Sequence, residues 1–247
     1  MIYSNILEKL KSRKIFAILV DPDKHSRDAL PGIGRKAGEA GVDFILVGGS
    51  LVSGSVDETV TLLKQTTGVP VVLFPGNVLQ LSSRADGILL LSLISGRNPE
   101  FLIGNHVIAA PVLRNTGLEI IPTGYILVEN GRTTSVEYMS NTKPIPADKT
   151  DLAVATAMAG EMLGHKLIYL EAGSGARDKV NAVMIRAVRA QIGIPLVVGG
   201  GIENGEQIRE AYRAGADIVV VGSAIEKGSG GMERILTEAA GLKGERY

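Results

Sequence analysis

The chain contains no cysteine. That excludes disulfides, a thiolate nucleophile and a Cys-ligated zinc, and it accords with the reducing cytoplasm, where we expect the protein to work. Aromatic residues make up only 4% of the sequence, and Lys+Arg balance Asp+Glu at 26 each. With no basic run and no aromatic platform, nucleic acid is excluded as a partner. No apolar run approaches the ~18 residues of a membrane span, so at most a peripheral membrane contact is expected. The first residues, MIYSNILEKLKSRK, are amphipathic and charged and have no apolar h-region or cleavage site.

Glycine, in contrast, is abundant at 31 residues, as many tight strand–loop–helix junctions require. Eight short apolar runs recur, at 15–20, 43–47, 70–74, 87–91, 119–128, 166–170, 195–198 and 217–221. Most are continuous rather than alternating, the mark of parallel strands buried on both faces. Helix-period segments fall at about 27–40, 57–66, 98–108, 148–163, 178–191, 204–214 and 231–241. With no break in composition, this order predicts one (β/α)8 TIM barrel domain over 1–247; a doubly wound open sheet is the alternative. Echoes such as GVDFILVGGS with GADIVVVGSA fit a barrel of repeated units.

Two connections are irregular. Only about a dozen residues, PGNVLQLSSRAD, separate the third and fourth runs. This is too little for two loops and a helix of three turns, so the third outer helix is expected to be missing or replaced by an extended or one-turn segment. A short helix over about 77–84 is the alternative. The stretch ENGRTTSVEYMSNTKPIPA at 129–147 opens with an Asn-Gly turn signal and is either a lid or a long surface excursion.

Barrel chemistry sits at the C-terminal ends of the strands. The seventh and eighth strands end in Gly199-Gly200-Gly201 and Gly222-Ser223, each followed by a helix start. Bare backbone N–H groups there suit a phosphate; glycines needed only for packing are the alternative. The sixth strand ends in Glu171-Ala172-Gly173-Ser174-Gly175, of which Gly173, Ser174 and Gly175 would reach the same phosphate from its other side. Glu171, at the barrel mouth, is then placed to accept hydrogen bonds from hydroxyls of a small polyol phosphate; a structural Glu that caps the turn is the alternative. Asp21 and Asp23 flank Pro22 at the first exit and invite a divalent cation with oxygen ligands, Mg2+, with Ser50 at the next exit adding a hydroxyl. The same Asp-Pro-Asp is also a common turn pattern. Tyr125 is either core or points its hydroxyl into the site. His25, His106 and His165 show no ligand spacing.

The stretches LVDPDK, ILVGGS, YLEAGSGA, VVGGGI and VVVGSAI, in this order and at these separations, resemble the geranylgeranylglyceryl phosphate synthase family, which includes the PcrB-like heptaprenylglyceryl phosphate synthases. The central segment resembles its group II. The resemblance covers nearly the whole chain. It implies a modified barrel whose altered third helix makes room for a prenyl chain. It further implies Mg2+-dependent transfer of that chain from a prenyl diphosphate, geranylgeranyl by expectation, to the 3-hydroxyl of sn-glycerol 1-phosphate. Carried over residue by residue, Asp21 and Ser50 are the metal-side residues. Tyr169, Leu170, Glu171, Ala172, Gly173, Ser174 and Gly175, with Gly200-Gly201 and Gly222-Ser223, hold glycerol phosphate. Glu171 and Asp21 are the expected catalytic residues, and Val78, Leu79 and Leu81 the expected prenyl groove. The chain departs from group I at Leu19 and Thr123, as group II does. A homo-oligomer is expected. The rivals are a phosphate-binding barrel isomerase or flavin enzyme, and a non-catalytic phosphate or lipid binder.

Overall fold

The computed structural model describes residues 1–226 and 229–242. Eight parallel strands close on themselves in sequence order: β1 (Ile15–Val20), β2 (Phe44–Val47), β3 (Val71–Leu73), β4 (Gly87–Leu93), β5 (Glu119–Leu127), β6 (Leu167–Glu171), β7 (Leu196–Gly199) and β8 (Ile218–Val221). Closure is made where β1 pairs with β8, Ile15 opposite Ile218. The helices are α1 (Ile2–Leu10), α2 (Leu30–Glu39), α3 (Val56–Lys64), α4 (Asn105–Arg114), α5 (Ser135–Ser140), α6 (Thr150–Met162), α7 (Ala182–Arg189), α8 (Gly205–Ala214), α9 (Ser223–Glu226) and α10 (Ser229–Leu242).

Two apolar cores explain why the strands read as continuous runs. Side chains alternate across each strand. Ile15, Ala17, Phe44, Leu46, Leu89, Ile121, Leu167, Val197, Ile218 and Val220 fill the barrel interior. Their neighbours Phe16, Ile18, Ile45, Val47, Ile88, Ile168, Val198 and Val219 pack outward against the helices.

Helix α1 was legible only as an amphipathic stretch. It packs Ile6, with Ile2, Tyr3 and Leu10, against the barrel interior, and Tyr3 N–H donates to Glu119 Oε1 at 2.9 Å. The expected helix at 98–108 starts as a π-helical turn, Glu100–Gly104, and runs on as α4 to Arg114. The expected helix at 178–191 is trimmed to α7, because the Asn181 side chain accepts from Met184 N–H and caps it there.

A common device organises the N-terminal end of the barrel. Asp43, Asp86 and Asp217 each stand one residue before an even-numbered strand. Each carboxylate accepts an N–H from the preceding odd strand: Phe16 at 3.1 Å, Val71 at 2.8 Å and Leu196 at 3.0 Å. Each also pairs with cations: Asp43 with Arg13 and Lys9, Asp86 with Lys64, Asp217 with Arg189 and Lys14. The acid thus satisfies a strand-end donor that the staggered ladder leaves open, and the base compensates its burial. The resemblance of GVDFIL to GADIVV includes this aspartate.

Between Leu73 and Gly87 the chain forms one 3-10 turn, Val78–Gln80, within irregular backbone. Asn77 caps the turn by accepting from Leu79 N–H at 2.9 Å. Gln80 is buried; its Nε2 donates to Gly49 O at 2.8 Å, and its Oε1 accepts from the N–H groups of Gly49 and Gly76, both at 3.2 Å. One side chain therefore ties this connection to the β2 exit loop.

Burial alone would raise the Asp43 carboxyl, but the Arg13 and Lys9 hydrogen bonds outweigh it and hold it below its ordinary value. Asp43→Asn should cost about 2 kcal/mol of stability at neutral pH, less than a fully buried pair because both bases are partly exposed. The depressed folded-state value makes this stabilisation fully present above the ordinary carboxylate range, and it is lost as pH falls below that range through the folded-state value. Urea titrations at pH 7 and pH 3 should therefore show a larger difference between the two proteins at pH 7 than at pH 3.

Candidate active site

Two cavities meet at the C-terminal end of the barrel. The first, of about 1730 Å³ including its open mouth, is the more polar of the two. Its walls include Asp21, Ser50, Tyr169, Glu171, Ser174, Gly175, Gly200, Gly201, Gly222, Ser223 and Glu226. The second, of about 850 Å³, is an apolar groove over the β4 exit. It is walled by Val78 and Leu81 on one side, Phe101, His106 and Ala109 on the other, and Leu90, Leu91 and Leu93 beneath.

Glu171 organises the polar cavity. It is the last residue of β6 and points inward, yet it is not at an open mouth as its position in the sequence suggests: it is only 6% exposed. Its Oε1 accepts from Gly173 N–H at 2.8 Å, and burial pushes its pKa up to about 7, against which Gly173 N–H and the Tyr169 hydroxyl pull it down. The Tyr169 hydroxyl lies close enough for that pull without reaching full hydrogen-bond geometry. A carboxyl of this kind is divided between acid and base near neutral pH, the condition for proton transfer.

The glycines at the end of β7 and just after it are required by this carboxylate. A Cβ on Gly199 would stand 2.8 Å from Glu171 Oε2 and press on the Tyr169 hydroxyl. Gly200 has φ +79°, and a Cβ there would meet Glu171 Oε1 and come within 2.7 Å of the N–H nitrogens of Ala172 and Gly173. The loops after β6 and β8 touch, Gly175 N–H donating to Ser223 Oγ at 3.4 Å.

Not every residue of 169–175 faces the cavity. Tyr169 and Glu171 point inward and Ser174 and Gly175 line the chamber, whereas Leu170 and Ala172 pack outward among the helices because side chains alternate along β6. Gly173 N–H is occupied by Glu171, and Ala172 N–H by Gly199 O at 3.1 Å. Neither amide is free for a ligand.

Asp21 is half-buried at the β1 exit. Burial raises its pKa, and the Asp23 charge adds to that. Asp23 itself is exposed and spent on structure: its oxygens accept from Ser53 N–H at 2.9 Å and Gly54 N–H at 2.6 Å. Glu226, which the sequence reading did not single out, faces the same cavity and is raised by burial and by Asp21. Gln80 was also passed over. It reaches no ligand space, but through Gly49 it positions Ser50. An uncharged side chain in a short connection carries no motif that would have shown this.

The long connection 129–147 is built into the site. Asn130 is buried and donates to Ala172 O at 2.6 Å. Ile145 bridges to Val128 beside the sheet, and α5 sets Val136 into the walls of both cavities.

In the groove, Val78 and Leu81 line the wall as anticipated, but Leu79 does not; it is 88% exposed. A 3-10 turn repeats every three residues, so positions 78 and 81 share a face and 79 is turned to solvent. Tyr125 is buried, lines both cavities, and packs at a tilt of 53° against Phe74 and Tyr169, at ring centroid distances of 6.1 and 5.5 Å.

Comparison with known proteins gives the following. The model of the PcrB family matches residues 7–240. The geranylgeranylglyceryl phosphate synthase of Spirosoma linguale is 54% identical over 220 residues, 89% of this chain and 88% of the relative. The wild-type GGGPS of Thermoplasma volcanium superposes with a TM-score of 0.92 at 37% identity, covering 98% of this chain and 97% of that one. The (S)-3-O-geranylgeranylglyceryl phosphate synthase of Thermoplasma acidophilum, in complex with its substrate sn-glycerol-1-phosphate, gives 0.91 at 33% identity over 98% of both chains.

The raised Glu171 value has a consequence for stability. Between pH 4.5 and about 7 the unfolded chain ionises this carboxyl while the folded chain keeps it protonated, so folding loses stability as pH rises through that window. Glu171→Gln cannot ionise and keeps an acceptor for Gly173 N–H. Its stability relative to the parent should increase by roughly 2–4 kcal/mol between pH 4 and pH 8, read as the shift in denaturant midpoint. A difference independent of pH would mean that the carboxyl titrates normally.

Proposed function

The chain belongs to the PcrB family, and on that premise we propose that it joins a long prenyl diphosphate, geranylgeranyl in our reading, to the 3-hydroxyl of sn-glycerol 1-phosphate and releases diphosphate. It is an enzyme of the prenyltransferase class. The observation that carries the substrate reading is the pairing of compartments. A polar chamber with bare glycines and a buried carboxyl opens through a shared wall into an apolar groove. A glycerol phosphate suits the first, and a donor with an anionic head and a hydrocarbon tail suits the boundary between them.

In this reading the phosphate rests on the backbone of Gly200-Gly201 and Gly222-Ser223 and beside Ser174. The glycerol hydroxyls turn to Glu171. With its pKa near 7, Glu171 takes the proton of the 3-hydroxyl as that oxygen bonds to C1 of the donor and the C1–O bond to diphosphate breaks. Tyr169, buried beneath, keeps water from the carboxyl. The tail lies along Val78, Leu81, Leu90 and Phe101. Holding two anionic substrates in one geometry supplies much of the rate.

Mg2+ fits the residues present. Among the described residues no group of three or more His, Cys, Asp or Glu side chains is placed to hold a metal. Asp21 and Ser50 line the chamber with oxygen donors, and Glu226 faces the same space. A cation held there would draw most of its ligands from water and substrate phosphates, as Mg2+ does. When bound, it would stabilise departing diphosphate as a Lewis acid.

Incubation with labelled sn-glycerol 1-phosphate and prenyl diphosphates from ten to thirty-five carbons, followed by product chromatography, should yield a prenyl ether with long donors; no product with any donor would overturn the reading. Asp21→Asn should weaken the Mg2+ dependence of donor binding while leaving glycerol phosphate affinity within about two-fold, because the metal belongs to the diphosphate side. Calorimetry separates the two substrates.

The groove makes a paired prediction. Leu81→Asp should raise the KM for a twenty-carbon donor by about ten-fold or more, since a charge then faces buried methylenes. Leu79→Asp, on the solvent side of the same turn, should change it by less than about two-fold. Equal effects at both positions would place the tail elsewhere.

A further inference from the structure

In a prenyl diphosphate, C1 is the atom that joins the anionic head to the hydrocarbon tail. Where head and tail occupy separate compartments, C1 lies at the boundary between them. Five residues line both cavities: Gly49, Ser50, Phe74, Tyr125 and Val136. Two of these carry aromatic rings. Phe74 directly follows β3 and Tyr125 lies in β5, so they flank the β4 exit over which the groove runs. Their centroids are 6.1 Å apart, and Tyr169 stands 5.5 Å from each. Each ring is thus braced by two others and cannot turn freely.

The charges are distributed to match. Asp21, Glu171 and Glu226 line the polar chamber and none lines the groove, which among the described residues has no carboxylate in its wall. Burial, and then the Glu171 charge, push the Tyr125 phenol well above its ordinary value, so it stays neutral. A carboxylate at the boundary could itself capture an allylic cation at C1. An aromatic face attracts the cation by its quadrupole and forms no bond to it.

We infer that Phe74 and Tyr125 are catalytic residues that stabilise the positive charge developing at C1 of the donor. The inference rests on the prenyl-transfer reading. In the step concerned, the C1–O bond breaks with its electron pair leaving on diphosphate. The glycerol 3-hydroxyl oxygen then forms the new bond to C1, and its proton passes to Glu171. The rings gain and lose nothing; they lower the energy of the charge-separated state. Their contact is stronger in the transition state than in the ground state, so their loss falls on the chemical step rather than on binding.

The test is single-turnover kinetics with both substrates saturating. Phe74→Leu and Tyr125→Leu should each slow transfer by about ten- to hundred-fold. Phe74→Tyr and Tyr125→Phe, which keep the ring, should retain most of the rate. Affinity for a thiolo-diphosphate donor analogue, which binds without reacting, should be unchanged in all four.

The decisive series replaces Phe74 with mono-, di- and trifluorophenylalanine, which keep its shape and apolarity while draining the ring face. The rate should fall stepwise with each fluorine. This series remains informative even if the leucine variants fail to fold. A flat fluorine series in an active enzyme would overturn the inference and leave the proposed function standing. Absence of prenyl transfer by the unsubstituted protein would overturn both.

Discussion

The polar half of the site depends on one buried carboxylate. Glu171 ends β6 facing inward and is held there by the N–H two residues later. Its oxygens occupy the space in which side chains at 199 and 200 would lie, so the β7 exit must be glycine before any ligand is considered. The bare backbone that suits a phosphate is therefore also the backbone that the carboxylate demands. Because burial raises the pKa of the same group to about 7, the packing that bares this backbone also leaves a carboxyl beside it that can accept or give up a proton near neutral pH. In the proposed function, a carboxylate fully ionised at neutral pH would repel a phosphate bound at these glycines; one near its pKa does so less.

The apolar half depends on a shortage of chain. With a single 3-10 turn between β3 and β4, β4 is left partly open near its exit, and Leu90 on its outer face and Leu91 on its inner face both become groove floor. Such an opening needs a fixed edge. Gln80 supplies it with three backbone hydrogen bonds that anchor the turn to the Gly49 loop. The three-ring cluster of Phe74, Tyr125 and Tyr169 then divides this groove from the chamber. The two compartments thus share a wall of aromatic carbon rather than of charge.

The two ends of the barrel use acids differently. At the N-terminal end Asp43, Asp86 and Asp217 are paired with bases and strand amides. The Asp43 carboxyl is held low by its partners. At the C-terminal end burial raises Asp21, Glu171 and Glu226, and the Lys24 charge offsets this only in part at Asp21 and Glu226. Compensated acids stabilise the fold, and uncompensated acids are available for chemistry. That division follows the general separation of stability and activity between the faces of a (β/α)8 barrel.

The sequence by itself determined the strands and the closed parallel barrel, because burial on both faces leaves a continuous apolar signature that local composition carries. It also pointed to the glycine exits of β7 and β8, to Asp21, and to Glu171, whose setting YLEAGSGA is contiguous. Only the tertiary structure decided which of these residues face the cavities. Leu170 and Ala172 turn outward by strand alternation, Gly173 N–H is consumed by its neighbour, and Leu79 faces solvent because a 3-10 turn has a period of three. Burial, too, depends on neighbours far along the chain. Glu171 reads as a mouth residue until the loops of β7 and 129–147 close over it, with Asn130 gripping Ala172 from 42 positions away. The placements of Gln80, Glu226 and Phe74 were likewise invisible. Each acts through partners that only the fold brings near, and no spacing in the sequence encodes such a distance.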